Sequence, residues 1–478
     1  MKTKYLMIGA GISNLTFANY VKKDYLIAEK ENEVGGYCRT IRKNGYVWDY
    51  AGHFFHFKTE EFKKKFLDKL PAEDIITQEK CTKILYKNEL VDYPFQMNIH
   101  QLEKEEFIDC LYDLFNKTEK ENYNNFLDML YGKFGKSITE KFLKPYNEKL
   151  YAIDLTKLDT DAMGRFFPYA NKEQIINNMH NSKDNSYNNS FLYPKDGAET
   201  FIKILYDNLD KNNILLNTEI VDIDIDNKIA TTSKNEKIEY EYLINTSPLN
   251  HFLKLFKDEK LKKIQKELSY NKVLVFNLGF NKKSKLKKEH WIYIPSKECN
   301  YYRIGFYDNI LGTDKLSMYI EIGYPKDAKI TDKEIEKQLE LTLKNLKEQE
   351  IIDDTKVKTQ KVNEYTTLID ARTKNYEAIL EQLKEASERA EENYRSKNAI
   401  PNLLSEIMFA IPKEAQILSL ENTADKHIVI KAQASEYQYL GYFKSELQNR
   451  AILTNVTSTS GTMVDDMIQV TIEGDLPY

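Results

Sequence analysis

At 478 residues the chain is too long for one ordinary domain, and its 41% hydrophobic and 12% aromatic content supplies core for two or three. Its 69 basic and 74 acidic residues are well mixed and leave a net charge of −5, which gives no electrostatic footprint for nucleic acid. Four cysteines without a CxxC pair argue against a disulfide framework and a metal site, and no apolar run approaches the roughly 18 residues of a membrane span.

The opening "MKTKYLMIGAGIS" reads as a strand and a glycine turn, not as a secretory signal, so a cytoplasmic location is expected. Residues 4–8 predict a short buried strand, "SNLTFANYVKK" a helix and "DYLIAEK" a second strand, a β-α-β unit of about 30 residues. A long mixed region follows, helical around 134–150. "FLYPKDGAETFIKIL" (191–205) reads as a turn and a helix. "EIVDIDIDNKIATTS" and "KIEYEYLINTSPL" alternate with a period of two, and "NKVLVFNLGF" and "LSMYIEIGY" read as buried strands. From 361 to 400 the chain lacks Pro and Gly, and Leu368, Tyr376, Leu380 and Leu383 recur at helical spacing, which predicts a coiled-coil-like arm. Residues 401–478 predict α-β-β-α-β-β, a small α+β domain. The expected organisation is therefore an α/β region over 1–360, with a discontinuous Rossmann-like dinucleotide domain and a helical and sheet substrate region, then the arm and the small domain.

Chemistry concentrates at "IGAGISNL". Gly9 permits the tight strand-to-helix turn, Gly11 lets backbone approach a pyrophosphate, and the helix N-terminus around Ser13 offers N–H groups. Asn14 stands where the fingerprint has its third glycine, a packing substitution at some cost. Glu29 ends the second strand, followed by Lys30, and a carboxylate there accepts hydrogen bonds from a ribose. In "EVGGYCRT", Gly35 and Gly36 allow a second backbone approach and Arg39 balances phosphate charge. Two glycine passages flanking an acidic strand end favour FAD. Val221 completes the expected cofactor set.

Over residues 3–360 the chain resembles the FAD superfamily of amine oxidases, protoporphyrinogen oxidase and UDP-galactopyranose mutase, the mutase branch above all. The resemblance rests on "WDYAGHFFHF", "VDYPFQMNIHQL", "FGKSITEKFLKPYNEKLYAIDLTKLDTDAMGRFFP", "FLYPKDGAET" and "HWIYIPSKECNYYRIGFYDN". It implies an enzyme that interconverts pyranose and furanose forms of a UDP-sugar through an adduct with reduced flavin, for cell-surface glycan synthesis. It places Gly52 and His53 beside the flavin, His53 as the catalytic residue, and Arg165, Tyr302 and Arg303 at the substrate, with NAD(P)H as a reductant. An FAD oxidoreductase of the amine oxidase or protoporphyrinogen oxidase type is the alternative. The family's closing Gly-Arg-x-Gly-x-Trp segment has no counterpart after residue 330. From about 361 the chain is instead similar to PilN of type IV pili, through "KNAIPNLLSEIMFAIPKEAQILSLENT", "HIVIKAQASEYQYLGYFKSEL" and "VTIEGDLP". That similarity implies pilus-assembly proteins as partners of residues 401–478, a scaffold role, and two normally separate parts joined in one chain.

Overall fold

The computed structural model describes residues 1–476 except 58, 165–166, 181–189, 354–356, 369–382, 386, 390–402, 405 and 425. The chain forms two compact units, Met1–Ala386 and Ser387–Tyr478.

The first unit begins with β1 (Lys2–Ile8), α1 (Ile12–Val21) and β2 (Tyr25–Ala28). β1 runs parallel to β2 on one side and to the strand Lys237–Asn245 on the other. The complete sheet has six strands in the order 220–224, 229–232, 237–245, β1, β2, 214–215. A central parallel strand is covered on both faces, which is why β1 is apolar without alternation. Met7 packs toward α1 and the helix Glu199–Asp207, with Ala18, Phe201 and Ile202. Leu6 and Ile8 pack on the opposite side, with Leu261 and Ile264 of the helix Glu259–Glu267. The period-two alternation of 219–249 is realised as an antiparallel meander on the sheet edge.

Beyond β2 come a short hairpin, β3 (Thr40–Lys43) and β4 (Tyr46–Asp49), and a seven-stranded sheet. At the centre of that sheet the strand Tyr270–Phe280 pairs with Ser317–Pro325, and this in turn with Arg303–Phe306. One face is aliphatic: Leu274, Phe276, Ile304, Ile320 and Ile322 pack with Leu346 of the helix Asp332–Glu348. The other face is aromatic and polar, and it carries the site. A helical layer with a separate core covers residues 104–180, including Lys104–Asn116, Phe126–Ile138 and Lys144–Tyr151. The expected helix over 134–150 is present but jointed. Gly135 takes φ +76°, and a Cβ there would lie 2.6 Å from the carbonyl oxygen of Asp113. A π-turn at Thr139–Leu143 follows.

Two expectations are corrected. Residues 190–194 form a strand, Ser190–Pro194, paired with Ile75–Glu79, where the sequence suggested only a turn before the helix. The predicted arm does not begin at 361: Val357–Leu368 is a strand laid antiparallel along the whole of Tyr270–Phe280. Pairing with a distant strand overrides local helical spacing, so Leu368 belongs to no helix. Tyr376 and Leu380 lie outside the described residues, while 383–385 and 387–389 are helical.

The second unit is an antiparallel sheet in the order 415–424, 427–434, 467–475, 454–458, with a short strand Thr462–Val464 also on 467–475. The helix Tyr437–Asn449 buries Leu440, Phe443 and Leu447 against Ile428, Ile430, Ala432 and Ile472, together with Leu403 and Ile407. After helical residues 403–404 and 406–410, the order is β-β-α-β-β-β, the predicted order of the described elements with one added hairpin strand.

Candidate active site

Two clusters of predicted residues emerge. The first surrounds the turn after β1. Gly9 takes φ +91°, the left-handed region that glycine enters at no steric cost. Gly11 is the N-cap of α1 with no side chain capping it, and a Cβ there would meet nothing within 4 Å. The uncapped N–H groups of the first turn, with exposed Ser13 among them, therefore open onto space. Gly35 bridges to Gly11, its N–H donating to the Ala10 carbonyl, and a Cβ on Gly36 would sit 3.7 Å from the Gly11 Cα. The two glycine passages thus form one wall.

Glu29 is buried at the end of β2, accepting from the backbone N–H of Ala10 (2.6 Å) and of Glu31 (3.0 Å). Each carboxylate oxygen keeps a lone pair for a ribose hydroxyl. Lys30 is exposed beside it, 3.7 Å from the Glu31 carboxylate. Arg39 donates to the Gly36 carbonyl and to Glu33 and lies over the Tyr50 ring. Val221 is exposed at a bulge in its strand. Asn14 does more than fill space. Its Nδ2 donates to the carbonyls of Ile8 (3.0 Å) and Gly9 (2.7 Å), tying the helix to the strand end. Open glycine backbone, an uncapped helix N-terminus and a buried acid at the second strand fit a dinucleotide.

The second cluster lies on the polar face of the seven-stranded sheet. Residues directly opposite in a ladder share a face. The register therefore sets Tyr293, Arg303, Glu321 and Val275 in one row, and Trp291, Gly305, Tyr319 and Asn277 in the next. Arg303 and Glu321 form a two-pronged ion pair, Nε to Oε2 at 2.8 Å and Nη2 to Oε1 at 2.7 Å, with Glu321 only 1% exposed. A guanidinium matches a carboxylate in this geometry and keeps further N–H groups. Tyr319 stands in a slot between two glycines: a Cβ on Gly305 would lie 1.9 Å from its ring, and one on Gly52 2.7 Å from its hydroxyl. Phe54 stacks on Trp291 at 5.0 Å beside it.

His53 joins this cluster from the loop after β4. Its Nδ1 lies 2.8 Å from the Ala51 carbonyl, so Nδ1 carries the proton and Nε2 is left with a lone pair. Burial, the largest influence, holds its pKa below the usual histidine value; Glu321 pulls upward and Arg303 downward. Tyr302 is buried in the core of the helical layer, its ring 6.3 Å from Tyr146, and so packs as a core residue. Arg165 lies outside the described residues.

Sequence reasoning missed Asp49, Glu321 and Tyr307. Asp49 is fully buried and accepts from Thr40 Oγ1, Tyr193 Oη and the N–H of Ala198. Burial pushes its carboxyl up to about 7. Tyr307 accepts from the Asp49 N–H at 3.1 Å and donates to the Ala51 carbonyl at 3.4 Å, the same carbonyl that orients His53. The Asp49 backbone N–H is thus linked through the Tyr307 hydroxyl to the loop of His53, while its carboxyl ties the hairpin to Tyr193 and the Ala198 turn. A lone acid inside an apolar strand was the available signal for Asp49 and Glu321; their partners, remote in sequence, were not.

Fold and site together define a flavoprotein with a dinucleotide-binding sheet and a second, seven-stranded sheet. Residues 14–368 match the family of flavin-containing amine oxidoreductases, and the chain belongs to that family, with FAD as its cofactor. It is 28% identical to the protoporphyrinogen oxidase of Dictyostelium discoideum over 179 residues, 34% of this chain. The match spans about a third of that relative, 32% of its length. Among solved structures, a reduced UDP-galactopyranose mutase superposes with a TM-score of 0.73 at 22% identity, covering 80% of this chain and 86% of that one. A protein of Exiguobacterium sp. 255-15, assigned as a protoporphyrinogen oxidase, gives 0.61 at 16% identity, covering 80% and 90%. These likenesses show the fold. The family match stops at residue 368, so neither the resemblance of 401–478 to PilN and pilus partners nor NAD(P)H as a reductant gains support. Among the described residues no helix is long and apolar enough to cross a membrane, and no group of side chains could hold a metal ion.

Proposed function

We propose that this protein is a flavoenzyme of the UDP-galactopyranose mutase type, acting on a UDP-sugar. The observation that carries the reading is the Arg303–Glu321 pair on the sheet face, its carboxylate buried and its guanidinium partly exposed, next to His53 on the loop that Tyr307 links to Asp49 of the hairpin. Bound FAD, in its reduced form, supplies the nucleophilic electron pair for such a reaction. The glycines at 9, 11, 35 and 36 hold its pyrophosphate and Glu29 its ribose. Arg303, prepositioned by Glu321, offers its remaining N–H groups to the diphosphate, where negative charge grows as the sugar–phosphate bond breaks. His53 presents a neutral Nε2 that accepts a hydrogen bond at the sugar. Tyr146, Tyr293 and Tyr319 lie around the guanidinium and lower the local dielectric, which strengthens each of these contacts.

The oxidoreductase reading has its own support, since the family is one of amine oxidoreductases and the curated relative is a protoporphyrinogen oxidase. UDP separates the two. Calorimetric titration of the FAD-loaded protein with UDP is expected to show saturable binding. Arg303→Ala should weaken it by about 2 kcal/mol, roughly thirtyfold. A loaded protein that ignores UDP is not a mutase, and substrate-dependent flavin reduction becomes the next assay.

A further inference from the structure

The helix Lys104–Asn116 reverses the usual amphipathic arrangement. Two of its acids turn inward: Glu106 accepts from Tyr86 at 2.7 Å and pairs with Lys87 and Lys141, and Asp113 takes the N–H of Ser137 at 2.8 Å. Cys110 and Leu114 are buried in the core of the helical layer. Three large apolar side chains face solvent instead, with Ile108 51%, Tyr112 67% and Phe115 52% exposed. Successive steps of four and three residues align them on one face, so they form a continuous stripe and not scattered exposures. A helix apolar on two faces is expected to be covered on both.

Charge is sorted along the stripe. Exposed Glu105 and Asp109 flank its N-terminal end. At its C-terminal end stands Lys172, whose Nζ lies 5.3 Å from the centre of the Phe115 ring and donates to the Phe115 carbonyl at 3.4 Å. The two exceptions, Lys104 at the first end and Glu173 at the second, are also opposite in sign and exposed. A surface of this kind complements itself when two copies meet antiparallel.

We propose that this face is an interface between two copies of the chain, related by a twofold axis beside Tyr112. The axis sets Tyr112 against its counterpart. Ile108, four residues before it, then meets Phe115 of the other copy, three residues after. Glu105 and Asp109 of each copy face Lys172 of the other, and Lys104 faces Glu173. The same acids count against an anionic lipid surface as the occupant, because it would be brought against like charge. Three large side chains make a small core, so the pairing belongs at the weak end of specific interfaces, with a dissociation constant in the micromolar range.

Sedimentation velocity of the full-length protein between about 1 and 100 µM should show a reversible monomer–dimer equilibrium. Tyr112→Glu sets two carboxylates at the axis and should raise the dimer dissociation constant at least about tenfold. Its melting temperature as a monomer should hardly change, since the side chain it replaces is exposed. Glu105→Lys and Lys172→Glu should each weaken the dimer roughly threefold. The double exchange should restore the parent value, which a merely structural role of either residue would not produce. A monomer at every concentration, a dimer indifferent to Tyr112→Glu, or a double exchange no better than its singles would each overturn the proposal. Co-sedimentation of a monomer with phosphatidylglycerol vesicles, lost in Tyr112→Glu, would overturn it too and assign the stripe to lipid.

Discussion

Asn14 occupies a position where the dinucleotide fingerprint has glycine, and its structure reverses the expectation that it is a tolerated misfit. The side chain is fully buried and bridges two carbonyls at the end of β1. Asn14→Gly would restore the fingerprint yet remove both hydrogen bonds and place a flexible residue in the first turn of α1. The expected cost is about 1–3 kcal/mol, seen as a lower melting temperature of the flavin-free protein. A variant as stable as the parent would mean that Asn14 merely occupies volume. Glu321 makes the complementary case. Its carboxylate is nearly inaccessible and exists to hold Arg303. Glu321→Gln leaves a partly exposed guanidinium without its countercharge, at a cost of about 1–3 kcal/mol. It also removes one of the two groups that raise the His53 pKa, the other being the Ala51 carbonyl, so His53 should titrate lower still. Imidazole chemical shifts followed against pH check that direction, and an unmoved or raised His53 would separate the two residues.

What the sequence made legible at the level of elements follows from how local each signal is. The β-α-β unit was readable because glycine turn, buried strand and acidic strand end lie within about 30 residues. The strands at 271–280 and 316–324 were readable as apolar runs. Val357–Leu368 was not, because "KVNEYTTL" carries charge and threonine, and its conformation is fixed by a partner strand more than 80 positions earlier. His53 and Arg303 were found through motifs, whereas Asp49 and Tyr307 matter through contacts between segments some 260 residues apart. The sheet face shows how tightly such contacts are specified. On Arg303–Phe306, Gly305 is flat against the Tyr319 ring, which is also hemmed in by Gly52. Gly305→Ala should therefore displace Tyr319 and cost about 1–3 kcal/mol by overpacking. Because Tyr319 lies under the Arg303 guanidinium, UDP binding should weaken as well. Trimming the ring in Gly305→Ala/Tyr319→Leu should recover part of the stability. No recovery would place the strain in the strand backbone instead.

At the scale of the molecule, Asp49 and Asp308 are buried carboxyls that desolvation disfavours as anions, and stability should therefore depend on pH in an uncommon direction. Asp49 and Asp308 are both pushed by burial from the ordinary aspartate range to about 7, despite hydrogen bonds that pull the other way. Between about pH 4 and pH 7 the folded protein holds protons that the unfolded chain releases. Stability from these groups is then fully present below about pH 4 and is lost as pH rises through about 7. Lysine-paired carboxylates such as partly exposed Asp92 and largely buried Glu106, whose pKa values are lowered, act oppositely but at more acid pH. The melting temperature of the flavin-free protein should consequently fall from pH 5.5 to pH 8. Asp49→Asn should flatten that fall. Its amide oxygen can still accept from Thr40 and Ala198, and its NH₂ can donate to the Tyr193 oxygen, which reproduces the protonated acid without a titrating proton. The variant should match the parent only below about pH 4, already exceed it at pH 5.5, and exceed it most at pH 8. If both proteins lose stability equally over that range, Asp49 is ionised in the folded state, and its hold on Thr40, Tyr193 and Ala198 is a charged one.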